Sequence, residues 1–245
     1  MNVPHESYRV LVADAATPVG RGLLRYLSDT EYAVRALVTD ASVERRARED
    51  GADEVYCTDL TTERDLGDAV TDVDAICCTT SDGGLGRVGG ALDAGRGVRN
   101  LVDAVDDDRR PYVVLHSTIG VGDSKRGMVL PRRVYNHRLL RALEATEAHL
   151  RERGVPYTVL RTGATTDDPR SRDVVTGEGG DVSGRIARED LAWLMVAALT
   201  TPEARNRTFE VATASATAAS DDVAFAWSGP ETGLVARRSG YSIPS

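Results

Sequence analysis

Lysine is almost absent from this chain of 245 residues: Lys125 is the only one, and arginine supplies nearly every other basic side chain. Basic residues are also outnumbered by acidic ones, 30 to 38, which gives a net charge of −8 and a pI near 5.1. Because binding to nucleic acid usually requires a basic face, we expect no nucleic-acid partner. An acidic surplus with so little lysine is typical of a salt-adapted or a GC-rich source. The net charge favours a protein that stays dispersed through self-repulsion.

Cysteine and aromatic residues are scarce as well. The three cysteines are Cys57, Cys77 and Cys78, and an odd number with two adjacent residues does not make a disulfide framework. No cysteine–histidine spacing typical of a metal site occurs, so we expect no metal ion. Aromatic residues make up 5% of the chain, which leaves valine, leucine and alanine to fill the core.

Long apolar runs are missing too. No stretch approaches the roughly 18 residues that a membrane-spanning helix needs. The first residues, MNVPHES, are polar and do not resemble a signal peptide. We therefore expect no membrane partner and a cytoplasmic location.

Short apolar runs, by contrast, recur along the first two thirds of the chain and alternate with stretches of helical spacing. The runs predicted as strands are YRVLVA (8–13), YAVRALV (32–38), ADEVYC (52–57), VDAICC (73–78), PYVVLH (111–116) and PYTVLR (156–161). Strands this apolar form a parallel sheet that helices cover on both faces. With right-handed crossovers, the pattern predicts an α/β doubly wound parallel sheet, the Rossmann fold.

A single domain accounts for most of this length. Residues 1–212 are predicted to form the Rossmann domain, whose loop-rich and polar part, mostly 162–212, builds a small C-terminal lobe over a substrate. Residues 213–245 have a linker-like composition, with apolar Phe225 and Trp227 near the middle. We expect them to form a partly ordered extension.

The turn after the first strand, ADAATPVG (13–20), has the outline of a phosphate-binding glycine turn. In such a turn, glycines allow a tight bend, a close approach of the backbone to pyrophosphate and close packing of helix on strand. Only Gly20, the packing glycine, is present, and Asp14 and Thr17 stand where the other two are usual. The Thr17 hydroxyl suits a phosphate, whereas a carboxylate at Asp14 repels one. A plain strand–turn–helix capped by Asp14 is the alternative, and the motif alone leaves both open.

Several further stretches follow one another in a recognisable order: VRALVTD, VYCTDLTT, GVRNLVDA, STIGVGDS, YTVLRTG and RIAREDLAWLMVAAL. Together with the turn, they resemble the atypical short-chain dehydrogenase/reductase family, with its NmrA-like and sugar-epimerase-like members. The resemblance covers about residues 8–212. It implies a nicotinamide cofactor, NAD or NADP, bound at the carboxyl ends of the strands.

The cofactor-binding residues that the resemblance implies lie in the turn and at the ends of the second, third and fourth strands. They are Asp14, Ala16, Thr17, Pro18, Val19, Gly20, Thr39, Asp59, Leu60, Cys78, Thr79 and Thr80. Thr39 replaces an arginine that in the family often binds the 2′-phosphate of NADP, which weakens the case for NADP. Arg45 and Arg46 lie nearby as substitutes, although a solvated arginine pair on a helix is the ordinary alternative.

Many members of the family use a Tyr-x-x-x-Lys pair, in which the lysine lowers the tyrosine pKa for acid–base work. This chain lacks the pair, because Val121 stands four residues before its single lysine. The remaining catalytic candidates are Ser117, after the fifth strand, and Tyr135, before the next helix. For Tyr135, the alternative is a ring that only packs and keeps its hydroxyl in water.

The expected function is NAD(P)-dependent oxidoreduction, or an epimerase-like reaction, on an unknown small molecule. The alternative is a non-catalytic NAD(P)-sensing or partner-regulating protein, which the missing lysine favours. The chain is expected to be a monomer or a homodimer.

Overall fold

The computed structural model describes residues 8–61, 66–79, 88–105, 108–124, 136–213 and 225–230. The strands are β1 (Arg9–Ala13), β2 (Ala33–Val38), β3 (Glu54–Cys57), β4 (Ala75–Cys78), β5 (Tyr112–Thr118), β6 (Tyr157–Thr162), β7 (Ala164–Thr166), β8 (Val174–Gly177), β9 (Arg185–Ala187) and β10 (Arg207–Thr213). Eight of them form one sheet in the order β3-β2-β1-β4-β5-β6-β10-β8, while β7 and β9 pair separately. In the large sheet all neighbours are parallel except β8, which runs antiparallel to β10.

Helices cover both faces of this sheet. They are α1 (Pro18–Ser28), α2 (Glu44–Glu49), α3 (Leu66–Val70), α4 (Val88–Asp103), α5 (His137–Arg153) and α6 (Arg188–Thr200), with short 3-10 turns at Ala41–Val43 and Pro202–Ala204. Residues of α1, α2 and α6 share one hydrophobic core, and residues of α3, α4 and α5 share the other. The predicted doubly wound sheet is therefore confirmed. None of the helices in the described ranges is both long and apolar enough to cross a membrane.

The strands divide their side chains between the two cores by simple alternation. Val10 and Val12 of β1 lie in the core with α1, and Leu11 lies in the core with α4. Cys77 and Cys78 likewise belong to different cores, and both are buried free thiols. Strands buried on both faces need apolar residues at every position, which explains the continuous apolar runs in the sequence.

Part of the region predicted as a C-terminal lobe, residues 162–212, belongs to the large sheet and its helical cover. Strand β10 extends the large sheet beside β6, and α6 packs against α1. Only β7, β9 and the loops around them lie apart from the large sheet. The buried residues of α6, such as Leu191 and Met195, belong to the same core as β1.

Part of the C-terminal extension packs on this body. Phe225 and Trp227 contact Phe209 of β10 with ring centroids 5.9 and 5.2 Å away, in edge-on geometry. The Trp193 indole of α6 donates a hydrogen bond of 2.7 Å to the carbonyl of Pro230. This extended segment therefore shields the aromatic end of β10 from solvent.

Gly22 is a packing residue between α1 and α6, and it provides a test of this interface. A Cβ at Gly22 would lie 2.8 Å from the Cβ of Ala192, closer than two carbons approach without a backbone shift. We expect Gly22→Ala to lower the free energy of unfolding by about 1–3 kcal/mol, as overpacking does. Gly67→Ala in α3 is the control, because a Cβ there meets nothing within 4 Å. Urea denaturation checks both, and equal stability of the two variants would contradict the close packing.

Candidate functional site

The order of strands reverses beside β1, because the chain moves from β1 to β2 on one side and later returns to β4 on the other. In open α/β sheets, ligands bind in the crevice at such a reversal, outside the carboxyl ends of the strands. The residues at this point are those of the β1–α1 turn and those that follow β4. The crevice therefore contains the turn that the sequence singled out.

Asp14 begins the turn with a left-handed backbone, at φ 55°. Glycine adopts this conformation most readily, and aspartate is among the few other residues that tolerate it. The side chain is half-buried. Burial raises the pKa of its carboxyl to about 6. Asp14 therefore keeps the backbone geometry of a glycine turn but places a titratable carboxyl in it.

Thr17, and not Asp14, caps helix α1. Its hydroxyl accepts a 3.0 Å hydrogen bond from the Gly20 N–H and donates one of 2.9 Å to the Asp14 carbonyl. It also lies 3.1 Å from the Thr79 hydroxyl after β4, which must then be the donor, because the single Thr17 proton is already used. The alternative of an Asp14 cap is therefore wrong, and the Thr17 hydroxyl joins the turn to the end of β4.

The helix start fits a pyrophosphate group only in part. A Cβ at Gly20 would lie 2.5 Å from the Asp14 carbonyl oxygen and 2.9 Å from Cα of Ala15, so the glycine allows the close approach of helix and strand. This agrees with the packing role predicted for Gly20. Pro18, however, has no N–H to offer at the first helical position, and the Gly20 N–H is taken by Thr17. The shape of the phosphate-binding turn is retained, but with fewer donors and an added carboxyl.

The ends of β2 and β3 form the other half of the crevice. Thr39 and Asp59, both predicted to bind the cofactor, are exposed. The Asp59 carboxylate accepts hydrogen bonds of 2.8 Å from the Thr61 N–H and hydroxyl, which lower its pKa. Leu60 is buried, and its carbonyl accepts a 2.9 Å hydrogen bond from the Asn100 side chain of α4. The Asn100 side chain therefore braces the loop after β3.

Most of the remaining predicted cofactor residues lie together at the reversal point. Val19 is buried in α1, and Ala16 and Pro18 are exposed in the turn. Cys78 of β4 pairs with Ala13 of β1, which places it beside Asp14, the next residue in the chain. Burial, the neighbouring Cys77 and the Asp14 carboxylate all raise the pKa of the Cys78 thiol. Thr80 follows β4 outside the described residues.

Ser117 requires a correction. It was predicted to face a substrate, but its side chain is fully buried, and its hydroxyl donates a 2.8 Å hydrogen bond to Oε1 of Glu147 in α5. This placement argues against a substrate contact, because the hydroxyl lies between sheet and helix. His116 points to the opposite face, as strand alternation predicts, with its Nε2 2.9 Å from the Thr162 hydroxyl. Tyr135, the other catalytic candidate, lies outside the described residues.

The partner of Ser117 belongs to a buried ion cluster that sequence reasoning missed. Ser117, Arg161 and Glu210 stand side by side on β5, β6 and β10. The Arg161 guanidinium lies 2.8 Å from the Glu147 carboxylate and 3.4 Å from that of Glu210. All four side chains are almost completely buried. We call these four residues the Arg161 cluster.

The Arg161 cluster holds two loops above the carboxyl ends of β5, β6 and β10. Arg161 also pairs with Asp123 in the loop after β5, and Glu210 accepts a 3.1 Å hydrogen bond from the Gly180 N–H after β8. Burial acts to lower the pKa of Arg161, but its hydrogen bonds to Glu147 and Asp123 outweigh burial and raise it. Burial raises the pKa of Glu210. The ion-pair partners of the Arg161 guanidinium are therefore the carboxylates of Glu147, Glu210 and Asp123.

Another buried carboxylate, outside the Arg161 cluster and also missed, orders the loop before β8. Asp190 in the first turn of α6 is fully buried. It accepts hydrogen bonds of 2.9 and 2.8 Å from the Ser171 N–H and hydroxyl, and one of 3.1 Å from the Arg172 N–H. The stretch RIAREDLA contained this residue, but nothing in its spacing identified a partner near residue 171.

The raised pKa of Asp14 predicts how stability depends on pH. The pKa of Asp14 in the folded protein, about 6, lies above the 3.8 of an unperturbed aspartate. The favourable contribution of Asp14 to stability is therefore complete below about pH 4 and is lost as pH rises through 6. Asp14→Asn keeps a residue that tolerates the left-handed backbone but cannot ionise. We expect Asp14→Asn to raise the free energy of unfolding, relative to the unaltered protein, by about 1 kcal/mol more at pH 8 than at pH 5. Thermal and urea unfolding at the two pH values measure this difference.

Asp72→Asn is the matched control for this measurement. Asp72 has the same left-handed backbone, at φ 57°, but its side chain is 55% exposed and pairs with Arg109 at the surface. Exposed ion pairs contribute little to stability, so we expect Asp72→Asn to change the free energy of unfolding by less than about 1 kcal/mol. This change should not grow between pH 5 and pH 8. An Asp14→Asn effect of equal size at both pH values would contradict the burial of an ionisable Asp14.

The Arg161 cluster predicts a large and specific loss of stability. Arg161→Met leaves Glu147 and Glu210 buried without their shared cation, and we expect a cost of about 3–5 kcal/mol. Adding Glu147→Gln and Glu210→Gln to the same protein should recover part of that loss, because neutral amides need no counter-charge. Arg45→Met, which breaks an exposed pair with Glu49, is the control with an expected effect below about 1 kcal/mol. Similar urea midpoints for the two arginine variants would contradict the cluster's importance.

Comparisons with known proteins agree with this arrangement. The chain matches the NAD(P)H-binding family over residues 15–202. An Arabidopsis thaliana chloroplastic protein of uncharacterized function is 25% identical over 232 residues, which cover 84% of this chain and 70% of the relative.

Two solved structures share the fold. A Bacillus halodurans protein assigned as an NAD-dependent epimerase/dehydratase superposes with a TM-score of 0.72 at 21% identity, covering 84% of this chain and 94% of its own. The anaerobillin reductase ChuY of Escherichia coli O157:H7 superposes with a TM-score of 0.71 at 16% identity, covering 84% and 97%. At these identities the two structures establish the fold alone. Because the family match extends from the β1–α1 turn through α6, this protein belongs to the NAD(P)H-binding family, and its cofactor is a nicotinamide dinucleotide.

Proposed function

We propose that this protein is an NAD(H)-dependent oxidoreductase that acts on a small molecule in the crevice beside β1. The observation that supports the proposal most directly is the close packing of Gly20 under the Asp14 carbonyl at the point where the strand order reverses. When bound, a nicotinamide cofactor supplies or accepts a hydride. The residues of the chain then have to hold the cofactor, orient it and exclude water.

The crevice offers each part of a dinucleotide a separate position. The turn 14–20 is proposed to hold the pyrophosphate. The ends of β2 and β3 are proposed to hold the adenosine. The ends of β4 and β5, with Thr79 linked to Thr17, are proposed to hold the nicotinamide. Ligands of this fold lie across the carboxyl ends of the strands in this manner.

The charges at the end of β2 favour NAD over NADP. Exposed Asp40 accepts a 2.8 Å hydrogen bond from the Ser42 N–H, which lowers its pKa, and the pKa of Asp59 is lowered in the same way. Both carboxylates are therefore ionised at neutral pH and repel a 2′-phosphate. Arg45 and Arg46, the substitutes considered from the sequence, already pair with Glu49 and Asp50.

Oxidoreduction fits the described residues better than epimerisation. Epimerisation through a sugar hydroxyl requires the protein to remove and return its proton, which is work for a positioned acid–base group. The sequence has no Tyr-x-x-x-Lys pair, and the Ser117 hydroxyl is committed to Glu147. Hydride transfer to an acceptor that takes its proton from solvent makes less demand on the protein.

The burial of Ser117 also favours a second candidate function. A protein that binds a nicotinamide cofactor without turnover, as a sensor or a regulator of a partner, needs the crevice and no catalytic group. The two functions differ in one measurement, since only the oxidoreductase consumes NADH in the presence of an acceptor.

Cofactor titrations test the proposal and the preference for NAD. We expect NADH to bind at least about tenfold more tightly than NADPH, since about 1.4 kcal/mol of charge repulsion produces that ratio. Thr39→Arg should bring the two affinities together by adding a cation beside the 2′-phosphate, whereas Thr39→Gln, a neutral chain of similar length, should not. Fluorescence titration and thermal shift measure both.

Two outcomes would contradict the proposal in different ways. Tighter binding of NADPH by the unaltered protein would overturn the preference for NAD. Absence of binding by either dinucleotide at millimolar concentration would overturn the proposed function itself. Binding without oxidation of NADH by any of a panel of carbonyl and conjugated acceptors would support the sensor instead.

A further inference from the structure

We infer that Asp14 contacts the cofactor pyrophosphate as a neutral acid, so that each bound cofactor takes up one proton. This inference rests on the proposed function and assigns a role to the residue that distinguishes this turn from a glycine turn. It concerns the chain's own carboxyl group, and the proton comes from the solvent.

The backbone prevents Asp14 from moving out of the turn. Its neighbours Ala13 and Ala15 are both buried, and the Ala15 N–H donates a 3.0 Å hydrogen bond to the Leu37 carbonyl of β2. The Asp14 carbonyl accepts hydrogen bonds from the Thr17 N–H, at 3.0 Å, and from the Thr17 hydroxyl. A shift toward α1 is blocked, because Gly20 packs so closely on the same carbonyl that even a Cβ there would lie 2.5 Å from its oxygen. A ligand held by this turn therefore lies beside an Asp14 backbone that is fixed in place.

No cation in the described part of the chain neutralises this carboxyl. The side chains at the end of β4, the strand beside β1, are the Cys78 thiol and the Thr79 hydroxyl, and neither is positively charged. From β2, the residues at the strand end are Thr39 and the anionic Asp40.

Helix α1 offers no cation to the turn either. Its first arginine, Arg21, is held by Asp50 at 2.6 Å. The one effect that shifts the pKa of Asp14 is burial, which raises it. An ionised Asp14 would thus face a pyrophosphate anion with nothing between them, and like charges in a half-buried site repel strongly.

Protonation removes the repulsion and supplies a donor. A neutral carboxylic acid carries one O–H that donates to a phosphate oxygen, whereas the ionised form only accepts. The donor would also compensate for Pro18, which has no N–H at the first helical position. With a pKa of about 6 in the free protein, Asp14 is close enough to neutrality for an anionic ligand to complete its protonation.

Isothermal titration calorimetry with NADH tests this directly, because heats measured in buffers of different ionisation enthalpy count the protons taken up. For the unaltered protein at pH 7.5, we expect an uptake close to one proton, and a Kd that rises about tenfold per pH unit between pH 7 and pH 8.5. Asp14→Asn, whose amide donates at every pH, should take up no proton there. At pH 8 it should bind NADH at least about tenfold more tightly than the unaltered protein.

Asp72→Asn serves as the control, since it makes the same chemical change in a left-handed residue at the exposed turn after α3. It should retain the proton uptake and the pH dependence of the unaltered protein. If Asp14→Asn does not fold, Asp14→Gly takes its place with the same loss of proton uptake expected.

The outcomes separate this inference from the proposed function. Binding of NADH by the unaltered protein with no proton uptake and a constant Kd from pH 6.5 to 8.5 overturns the inference and leaves the proposed function intact. Proton uptake that persists in Asp14→Asn also overturns it. Failure of the unaltered protein and both Asp14 variants to bind NADH at any pH overturns the proposed function, and the inference with it.

Discussion

The close packing of Gly20 on the Asp14 carbonyl, which leaves no room for a Cβ, is the contact on which the crevice depends. It brings the start of α1 against the end of β1, which lets the Thr17 hydroxyl cap the helix and still reach Thr79 after β4. Any side chain at residue 20 would separate helix from strand and break these bonds. The two strands that flank the reversal point are therefore held together through one small turn.

Asp14 shows that the shape and the charge of such a turn are separable. The left-handed backbone at this position selects for glycine, asparagine or aspartate, and so Asp14 satisfies the geometry that a glycine would. The electrostatic character is nevertheless reversed, because a glycine turn presents only N–H groups to a phosphate and this one adds a carboxyl. The absence of a glycine at this position therefore indicates little about whether the fold binds a dinucleotide. It indicates more about the conditions under which binding occurs.

The strands and the two-sided core were predictable because they depend on local pattern. Runs such as VDAICC must be buried on both faces, and the alternation of Cys77 and Cys78 between two cores follows from backbone geometry alone. The Arg161 cluster was not predictable in the same way. Glu147 and Glu210 are far from Ser117 in sequence, and only the packing of α5 and the pairing of β10 with β6 bring them together.

Ser117 illustrates why a residue's position at a strand end does not determine its role. Ser117 lies near the carboxyl end of β5, but α5 places Glu147 against it, and a buried carboxylate needs donors. Arg161 provides two of them and the serine hydroxyl a third. The same cluster holds the loops bearing Asp123 and Gly180 over β5, β6 and β10. The Ser117 hydroxyl thus helps to hold this cluster and the loops above it, and it is already committed to Glu147.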